Sequence, residues 1–440
     1  MSPSVESVQV SLVRAIELVR KLHQGGQVDD ALELCEQVVA HWPDSADAWH
    51  FLGLIRYHRD EDLPGISAVR RALELAPDYA DAHANLGNML LNEGAITEAQ
   101  HHLHRALLLS PKAFPPRIAL GAVYRALNRL DEAEAVLKPA LETHSDSGLV
   151  HNAYGNLLAA LGRDAEAITH FQRAVELNPE IAGTHQRLGL MLAYAGRTDD
   201  AQQVFRRQLE QNPADPAAQH LMAALGGAEV PERASDQYVR GLFNGFAASF
   251  DSKLAHLDYR APEHIAELAH KVLGPARGTV KALDLGCGTG LLGPLIRRHC
   301  HRLEGVDLSP GMLARARQRK VYDDLHEAEL TTHLRRDAGM YDLLTCADTL
   351  CYFGALEDFL SAAHAALRPG GWLMFTVEHG REQEPPYRLQ FHGRYSHRRD
   401  YIEVGLAAAG FGALEIREDA LRMESLKPVA GLIVAVQRGS

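Results

Sequence analysis

Gly53, Gly87, Gly121, Gly155 and Gly189 stand 34 residues apart, and nothing else in the 440-residue chain constrains its fold as strongly. Several other positions share the period. Ala99, Ala133, Ala167 and Ala201 follow their glycines by twelve residues, with Gly65 in that slot of the first complete set. Pro77, Pro111, Pro179 and Pro213 follow by twenty-four, and Ser145 fills the one missing slot. Extended backwards, the period reaches Ala31 and Pro43, with Val19 in the glycine position. Such a period marks one supersecondary unit used again and again. Small residues at fixed points let two helices approach closely, and the proline stops the second helix. One unit cannot bury its own apolar face, but stacked units can. The spacing predicts six helix-pair units over about residues 12 to 213.

This pattern resembles the tetratricopeptide repeat. The resemblance implies an all-α solenoid that holds a peptide, a protein or another copy of itself on its concave face. On the first helix of each unit that face includes His50, Leu54, Asn85, Asn88, Asn152, Asn156 and Gln186. A side-chain amide offers both a donor and an acceptor, so it can clasp a peptide unit whatever its side chain. The same asparagines also fit ordinary packing or surface positions. The array lacks the Lys/Arg set that similar proteins use to clamp an acidic C-terminus. Residues 1 to 230 carry a net charge of −11 of the chain's −12. That charge repels nucleic-acid backbone, anionic lipid and acidic peptides, so no nucleic-acid or membrane partner is expected.

The period fades after Pro213, and Gly226 to Pro231 is a turn-rich break. The expected organisation is a solenoid over 1–225, a linker over 226–235 and a second domain over 236–440. That domain opens on an aromatic, amphipathic stretch, Tyr238 to Asp251. Two readings stand for it. It lies over a ligand pocket, with Tyr238 and Phe250 touching the ligand, or it packs the two domains together.

Val280 to Leu285 reads as a buried strand, Gly286-Cys-Gly-Thr-Gly290 as a tight turn, Leu291 to Arg298 as a helix, and Leu303 to Asp307 as a second strand ending in a carboxylate. This is the first βαβ unit of a doubly wound sheet, whose ligands sit at the C-terminal strand ends. The loop has no GxGxxG spacing to seat a pyrophosphate on a helix N-terminus. Asp284, just before the turn, is unwelcome beside a phosphate and suits a ligand carrying an ammonium and a sulfonium.

The loop resembles motif I of the class I S-adenosylmethionine-dependent methyltransferases, and Gly305 to Met312 resembles their next motif. The resemblance covers about 236 to 440. It implies an α/β doubly wound, Rossmann-like domain of seven strands that binds S-adenosylmethionine and releases S-adenosylhomocysteine. It places the methionine part along Gly286, Cys287, Gly288 and Gly290, the ribose on Asp307, and the adenine near Leu308 and Met312. Glu327 would face the exocyclic amine and the Ala328 amide a ring nitrogen, with Glu329 as the alternative carboxylate if the polar strand Lys320 to Leu325 slips. Ala347 and the segment Asp348 to Phe353, including Tyr352, fall where the family meets the transferring methyl. Leu367 to Glu378 resembles the turn and fifth strand, and Gly412 to Arg417 with Gly431 to Gln437 the closing hairpin. The whole chain resembles bacterial methyltransferases that carry a tetratricopeptide array in front.

Methyl transfer from a sulfonium is one in-line displacement, in which the protein positions the acceptor and excludes water. A hydroxyl or protonated amine acceptor needs a base, and His379, His392 and His397 are the histidines in reach of the fifth strand's end. Residues 379 to 400 also hold Arg381, Arg388, Arg394, Tyr387 and Tyr395, where such folds insert substrate-specific structure, and the arginines suit an anionic acceptor. The expected catalytic set is therefore His397, His379, Tyr352 and Arg394. The main reading is a methyltransferase whose array recruits a peptide, protein or carrier-tethered acceptor. The others are a non-catalytic adaptor with a cofactor-responsive domain, and a small-molecule enzyme whose array only dimerises. The five cysteines form no CxxC, no Cys/His cluster shows metal spacing, and no apolar run is long enough to span a membrane, so a metal-free, cytoplasmic protein is expected. Met1 to Leu22 shows no secretory signal.

Overall fold

The computed structural model describes residues 11–439 except 60, 248, 249, 256, 425 and 426, and of Ser252 and Ala255 the backbone alone. The first ten residues of the expected repeat domain, and Ala248 and Ser249 of the aromatic stretch, lie outside the described residues. The chain divides into two compact units, Met1–Thr184 and His185–Ser440.

The first unit contains the helix pairs Leu12–Gln24 with Val28–His41, Ala46–His58 with Asp62–Leu75, Ala80–Asn92 with Ile96–Leu109, Pro115–Ala126 with Leu130–Thr143, and Gly148–Ala160 with Asp164–Leu177. The period has a direct packing cause. A Cβ at Gly53 would lie 2.4 Å from Val69, at Gly87 2.6 Å from Leu103 and at Gly121 2.7 Å from Leu137. In each case the partner is a large apolar side chain on the second helix of the same unit, seated in the notch the glycine leaves. Ala99, Ala133 and Ala167 are fully buried, so they too mark close contacts. The prolines fall two residues past helices that end at Leu75, Leu109 and Leu177.

The second unit begins with the helices Thr184–Tyr194, Thr198–Gln211 and Pro216–Ala224. The sixth helix pair, which the period assigns to the solenoid, thus clusters with the sheet domain. Contacts of this pair and of the helix after it, Pro216–Ala224, explain why. His220 Nε2 lies 2.8 Å from the Gly393 carbonyl oxygen, and its ring stacks on Tyr238 with centroids 4.2 Å apart. Tyr194 meets Phe391 edge-on, and Ala223 shares an apolar cluster with Leu389 and Tyr395.

The rest of this unit is built on one mixed sheet of nine strands: β1 Val280–Leu285, β2 Cys300–Asp307, β3 Asp324–Glu327, β4 Tyr341–Cys346, β5 Leu367–His379, β6 Tyr387–Leu389, β7 Tyr395–His397, β8 Phe411–Glu424 and β9 Lys427–Arg438. β3, β2, β1, β4 and β5 are parallel neighbours in that order, and β9 then β8 extend the sheet antiparallel from β5. These are the seven expected strands. The additional hairpin β6–β7 joins the end of β5 through Glu378 opposite Ser396 and His379 opposite His397. Its strands have three residues each, too few to leave an alternating pattern. Both faces of the sheet are covered. Leu283, Leu285, Leu344 and Phe375 pack with Phe359 and Leu360 of the helix Glu357–Ala366. Ala282, Leu343 and Met374 pack with Ile265 and Leu268 of the helix Ala261–Leu273. Burial on both faces is why β1 and β4 show consecutive apolar residues, Ala282-Leu283 and Leu343-Leu344, in place of strict alternation.

Two boundaries differ from expectation. β3 forms at Asp324–Glu327, with Glu327 opposite Asp307, rather than over Lys320 to Leu325. β8 runs on to Glu424, past a register shift between Ala420 and Arg422. That irregularity buries both Leu421 and Arg422, so the alternation a strand should show is lost there. Among the described residues no helix is long and apolar enough to cross a membrane.

Candidate functional site

The chain runs from β1 outward to β3, then returns to place β4 on the other side of β1. Such a reversal opens a crevice at the C-terminal strand ends. A cavity lies there, lined by Asp284 and Gly286 at the end of β1, Asp307 at the end of β2, and Ala347 and Asp348 after β4.

The turn after β1 takes its shape from glycine. Gly286, Gly288 and Gly290 have φ of 68°, 54° and 85°, in the left-handed region. A Cβ on Gly286 would meet Thr349 Oγ1 at 2.3 Å, whereas at Gly288 only the Phe250 ring comes within 4 Å. Gly288 therefore leaves its side-chain space to the cavity. Gly290 packs against Tyr322 and does not line it.

Asp284 is buried, its Oδ1 accepting from Thr345 Oγ1 at 3.0 Å and its Oδ2 from the Tyr322 hydroxyl at 2.7 Å. Burial pushes its carboxyl up to about 6, against the pull of those two hydroxyls. Asp307 Oδ2 accepts from the Gly288 N–H at 2.9 Å and Oδ1 from the Ser309 N–H at 2.8 Å. Burial raises this carboxyl too, opposed by the backbone donors. Each Asp307 oxygen keeps a lone pair for a further donor.

Of the other positions expected at a cofactor, Cys287, Leu308, Ala347 and Phe250 line the cavity. Met312 does not; it is buried, with its N–H on Ser309 Oγ. Glu327 is exposed and lies 3.9 Å from Arg240. The Ala328 N–H donates to the Asp307 carbonyl oxygen at 3.1 Å, so that amide is engaged by the sheet edge. Glu329 is the carboxylate that reaches the cavity, while also capping the helix Leu330–Leu334 through the Thr331 and Thr332 N–H groups.

The aromatic stretch forms two helices, Asp236–Phe246 and Phe250–Ala255. Val239, Phe243 and Phe250 turn to the cavity, and Tyr238 turns away to stack on His220. Asn244 Oδ1 accepts from Ser309 Oγ at 2.5 Å, and Asp251 Oδ1 accepts from Thr289 Oγ1 at 2.5 Å while pairing with Arg319. These bonds seat both helices on the strand ends that carry Asp307 and the glycine turn.

Among the expected catalytic residues, Tyr352 and Arg394 line the cavity. His397 does not: it is fully buried, with Nε2 at 3.0 Å from the Gly354 carbonyl oxygen, and burial lowers its pKa to about 4. His379 sits 3.6 Å from Glu418, outside the cavity. No histidine among the described residues lines it, so the expected histidine base has no access to an acceptor there. Tyr259 and Arg422 line the cavity without any mark in the sequence pattern, and Asp348, from the segment expected near the transferring methyl, lines it too. Asp348 holds a left-handed φ of 53°, and both its oxygens accept from Arg422 Nη1 at 2.9 Å. Arg422 also pairs with Glu378, and with Glu424 at 2.7 Å. Arg394 pairs with Glu424 and lies 3.6 Å from Glu378. Arg388 pairs with Glu384, and neither it nor Arg381 lines the cavity. The arginines that suggested an anionic acceptor are thus either paired with carboxylates or elsewhere.

In the first unit a groove gathers His50, Leu54 and Asn85 with Phe51, Tyr79, Asp47 and Asp81. Asn85 Nδ2 is 2.9 Å from His50 Nε2, whose Nδ1 is 3.1 Å from the Tyr79 hydroxyl. Asn88, Asn152 and Asn156 do not line the groove; Asn152 Oδ1 accepts from Thr184 Oγ1, and Asn156 Nδ2 donates to the Asn152 carbonyl. Gln186 falls in the second unit.

Comparison with known proteins agrees with both halves. Residues 283–373 match a family model described as a methyltransferase domain, and residues 17–63, 90–157 and 148–181 match tetratricopeptide-repeat models. The ubiquinone biosynthesis O-methyltransferase of Burkholderia orbicola (strain MC0-3) is 30% identical over 108 residues, 22% of this chain and 44% of that protein. Its counterpart in Hydrogenovibrio crunogenus is 32% identical over 101 residues, 22% of this chain and 41% of that protein. The chain thus spans less than half the length of these relatives. Among solved structures, the 1,6-didemethyltoxoflavin-N1-methyltransferase of Burkholderia thailandensis, with bound 1,6-didemethyltoxoflavin and S-adenosylhomocysteine, is 20% identical, covering 48% of this chain and 94% of that one at a TM-score of 0.38. A thermophilic tetratricopeptide-repeat protein of Thermus thermophilus is 24% identical, covering 42% of this chain and all of that one at a TM-score of 0.37. The chain carries tetratricopeptide repeats followed by a methyltransferase domain.

Proposed function

We propose that the second unit transfers a methyl group from S-adenosylmethionine to an acceptor recruited by the repeats. The observation that carries this reading is the convergence of Asp284, the Gly286–Gly288 turn and Asp307 on one cavity at the sheet's reversal point. The residues present fit the cofactor. Gly288 leaves open space where a side chain would intrude, Asp284 suits an ammonium, and Asp307 has lone pairs for two ribose hydroxyls. Leu308, Leu330 and Glu329, which line the same cavity, would hold the base. Bound there, S-adenosylmethionine supplies a methyl made electrophilic by its sulfonium and leaves as S-adenosylhomocysteine. Phe243, Phe250, Leu254 and Leu257 form the apolar wall that excludes water, and Tyr352 and Asp348, just beyond Ala347, orient the acceptor.

Calorimetric titration of the full chain with S-adenosylmethionine tests the reading; no binding would overturn it. The titration should also depend on pH. Asp284 holds the ammonium only when ionised, and its free carboxyl titrates near 6. Affinity is therefore full above that value and falls by up to about tenfold per unit below it. Flat affinity through mildly acidic pH would assign the ammonium contact to another group.

For the repeats, the Phe51 and Tyr79 rings beside the Asp47 and Asp81 carboxylates support a peptide or protein ligand. Proteins retained by the full chain should take label from methyl-labelled cofactor, and Phe51→Ala with Tyr79→Ala should abolish both retention and labelling. A retained protein that takes no label would separate recruitment from catalysis. All five cysteines are free, which supports a reducing, cytoplasmic setting.

A further inference from the structure

The acceptor end of the cavity carries charge that the cofactor reading does not use. Asp348, Glu378 and Glu424 meet two guanidiniums, Arg422 and Arg394. Arg422 is 2% exposed, with its donors directed at all three carboxylates. Arg394 is divided between Glu424 and Glu378 and reaches the Tyr352 hydroxyl. The other titratable groups facing this cluster are neutral. Burial pushes the Tyr259 and Tyr352 hydroxyls and the Cys351 thiol up, and pushes the His392 imidazole down. The three carboxylates outnumber the two guanidiniums by one, in a place largely removed from water, where burial pushes the Asp348 carboxyl up. A buried charge without a counter-charge is costly, so a ligand that supplies the counter-charge gains what the site lacks.

Asp348 is the cluster's carboxylate that lines the cavity itself, and Tyr259, Tyr352, Phe243 and Phe250 line it as well. Phe243 lies edge-on to Tyr352 at 5.5 Å and to Phe250 at 6.0 Å between centroids. Ring faces beside a carboxylate form a cradle for an organic cation. An anion would meet Asp348 with both nearby guanidiniums already taken.

Resting on the methyl-transfer reading of this site, we infer that Asp348 and the rings around it select an acceptor carrying a positively charged amine on an apolar stem. Asp348 is a specificity-determining residue in this scheme, held in place by Arg422.

The test uses the full chain saturated with S-adenosylhomocysteine, so that the cofactor end, with Asp284, is filled. Three probes of similar shape are titrated by calorimetry: 2-phenylethylamine, 2-phenylethanol and 3-phenylpropionate. The amine should bind about tenfold or more tighter than the alcohol, and the carboxylate weakest. In Asp348→Asn the preference of amine over alcohol should fall to about one. Asparagine tolerates the left-handed backbone at this position, and a thermal melt verifies folding. Carboxylate binding as tight as the amine, no binding by any probe, or an amine preference that survives Asp348→Asn would overturn the inference. If the variant does not fold, the wild-type series decides alone. If S-adenosylhomocysteine itself does not bind, the cofactor reading fails first, and the same three probes titrated on the free chain still decide the inference.

Discussion

Asp307→Ala is expected to weaken S-adenosylmethionine binding by about 100-fold or more. Two hydroxyls on one carboxylate form charge-assisted hydrogen bonds, each contributing roughly 1.5–3 kcal/mol. Losing both costs on the order of 3–6 kcal/mol, and every 1.4 kcal/mol is about tenfold in affinity. The effect reaches beyond the ribose, because the same carboxylate receives the Gly288 and Ser309 N–H groups. Alanine frees both amides and loosens the glycine turn against the end of β2. Asp307→Asn separates the two contributions: its oxygen still accepts one bond, so the turn should be partly held while the charge is gone. Calorimetry on the three proteins at one pH checks this. An Asp307→Ala affinity within about threefold of wild type would remove Asp307 from the cofactor site.

Arg422→Met should strongly destabilise the second unit. The methionine fills much of the arginine's volume but leaves Asp348, Glu378 and Glu424 with Arg394 as their nearest cation. Removing one partner of a buried pair costs about 3–5 kcal/mol, because the remaining charges cannot be solvated. For a folded unit of this size that lowers the melting temperature on the order of 10 °C. The deficit should shrink in acid. Although burial pushes the Glu424 carboxyl up, Arg394 and Arg422 hold it down at about 2. A folded-state pKa below the unfolded value of about 4.3 contributes stability above that value, and the contribution is lost as pH falls through about 2. Arg422→Met has already given up much of this term, so the gap to wild type narrows between those limits. Melting curves over that range check the sign; a constant gap would place the loss in packing instead of charge.

How much could be read from the sequence depended on how far apart the cooperating residues lie. The solenoid was legible because each glycine meets a side chain sixteen residues on, as Gly87 meets Leu103, and the contact recurs. The convergence of Asp284, the turn and Asp307 on one cavity was legible because all belong to one βαβ unit of 28 residues, Val280 to Asp307. The charged cluster at Asp348 was not. Asp348 and Arg422 are 74 positions apart and meet only because β8 runs past its irregularity toward the end of β4. His397 attracted notice as a histidine in the right loop, but its neighbours in β5 and β6 enclose it completely. The asparagines of the repeats share a helical face, yet Asn152 Oδ1 accepts from Thr184 and Asn156 Nδ2 donates to the Asn152 carbonyl, bonds that no spacing reveals.

The helices from Thr184 to Ala224 look, by period, like the end of the array, yet His220, Ala223 and Tyr194 fasten them to residues 389–395. The methyltransferase fold therefore wears the last repeat as part of its own wall. A genetic exchange at the glycine-rich break after Leu225 would strip that wall away.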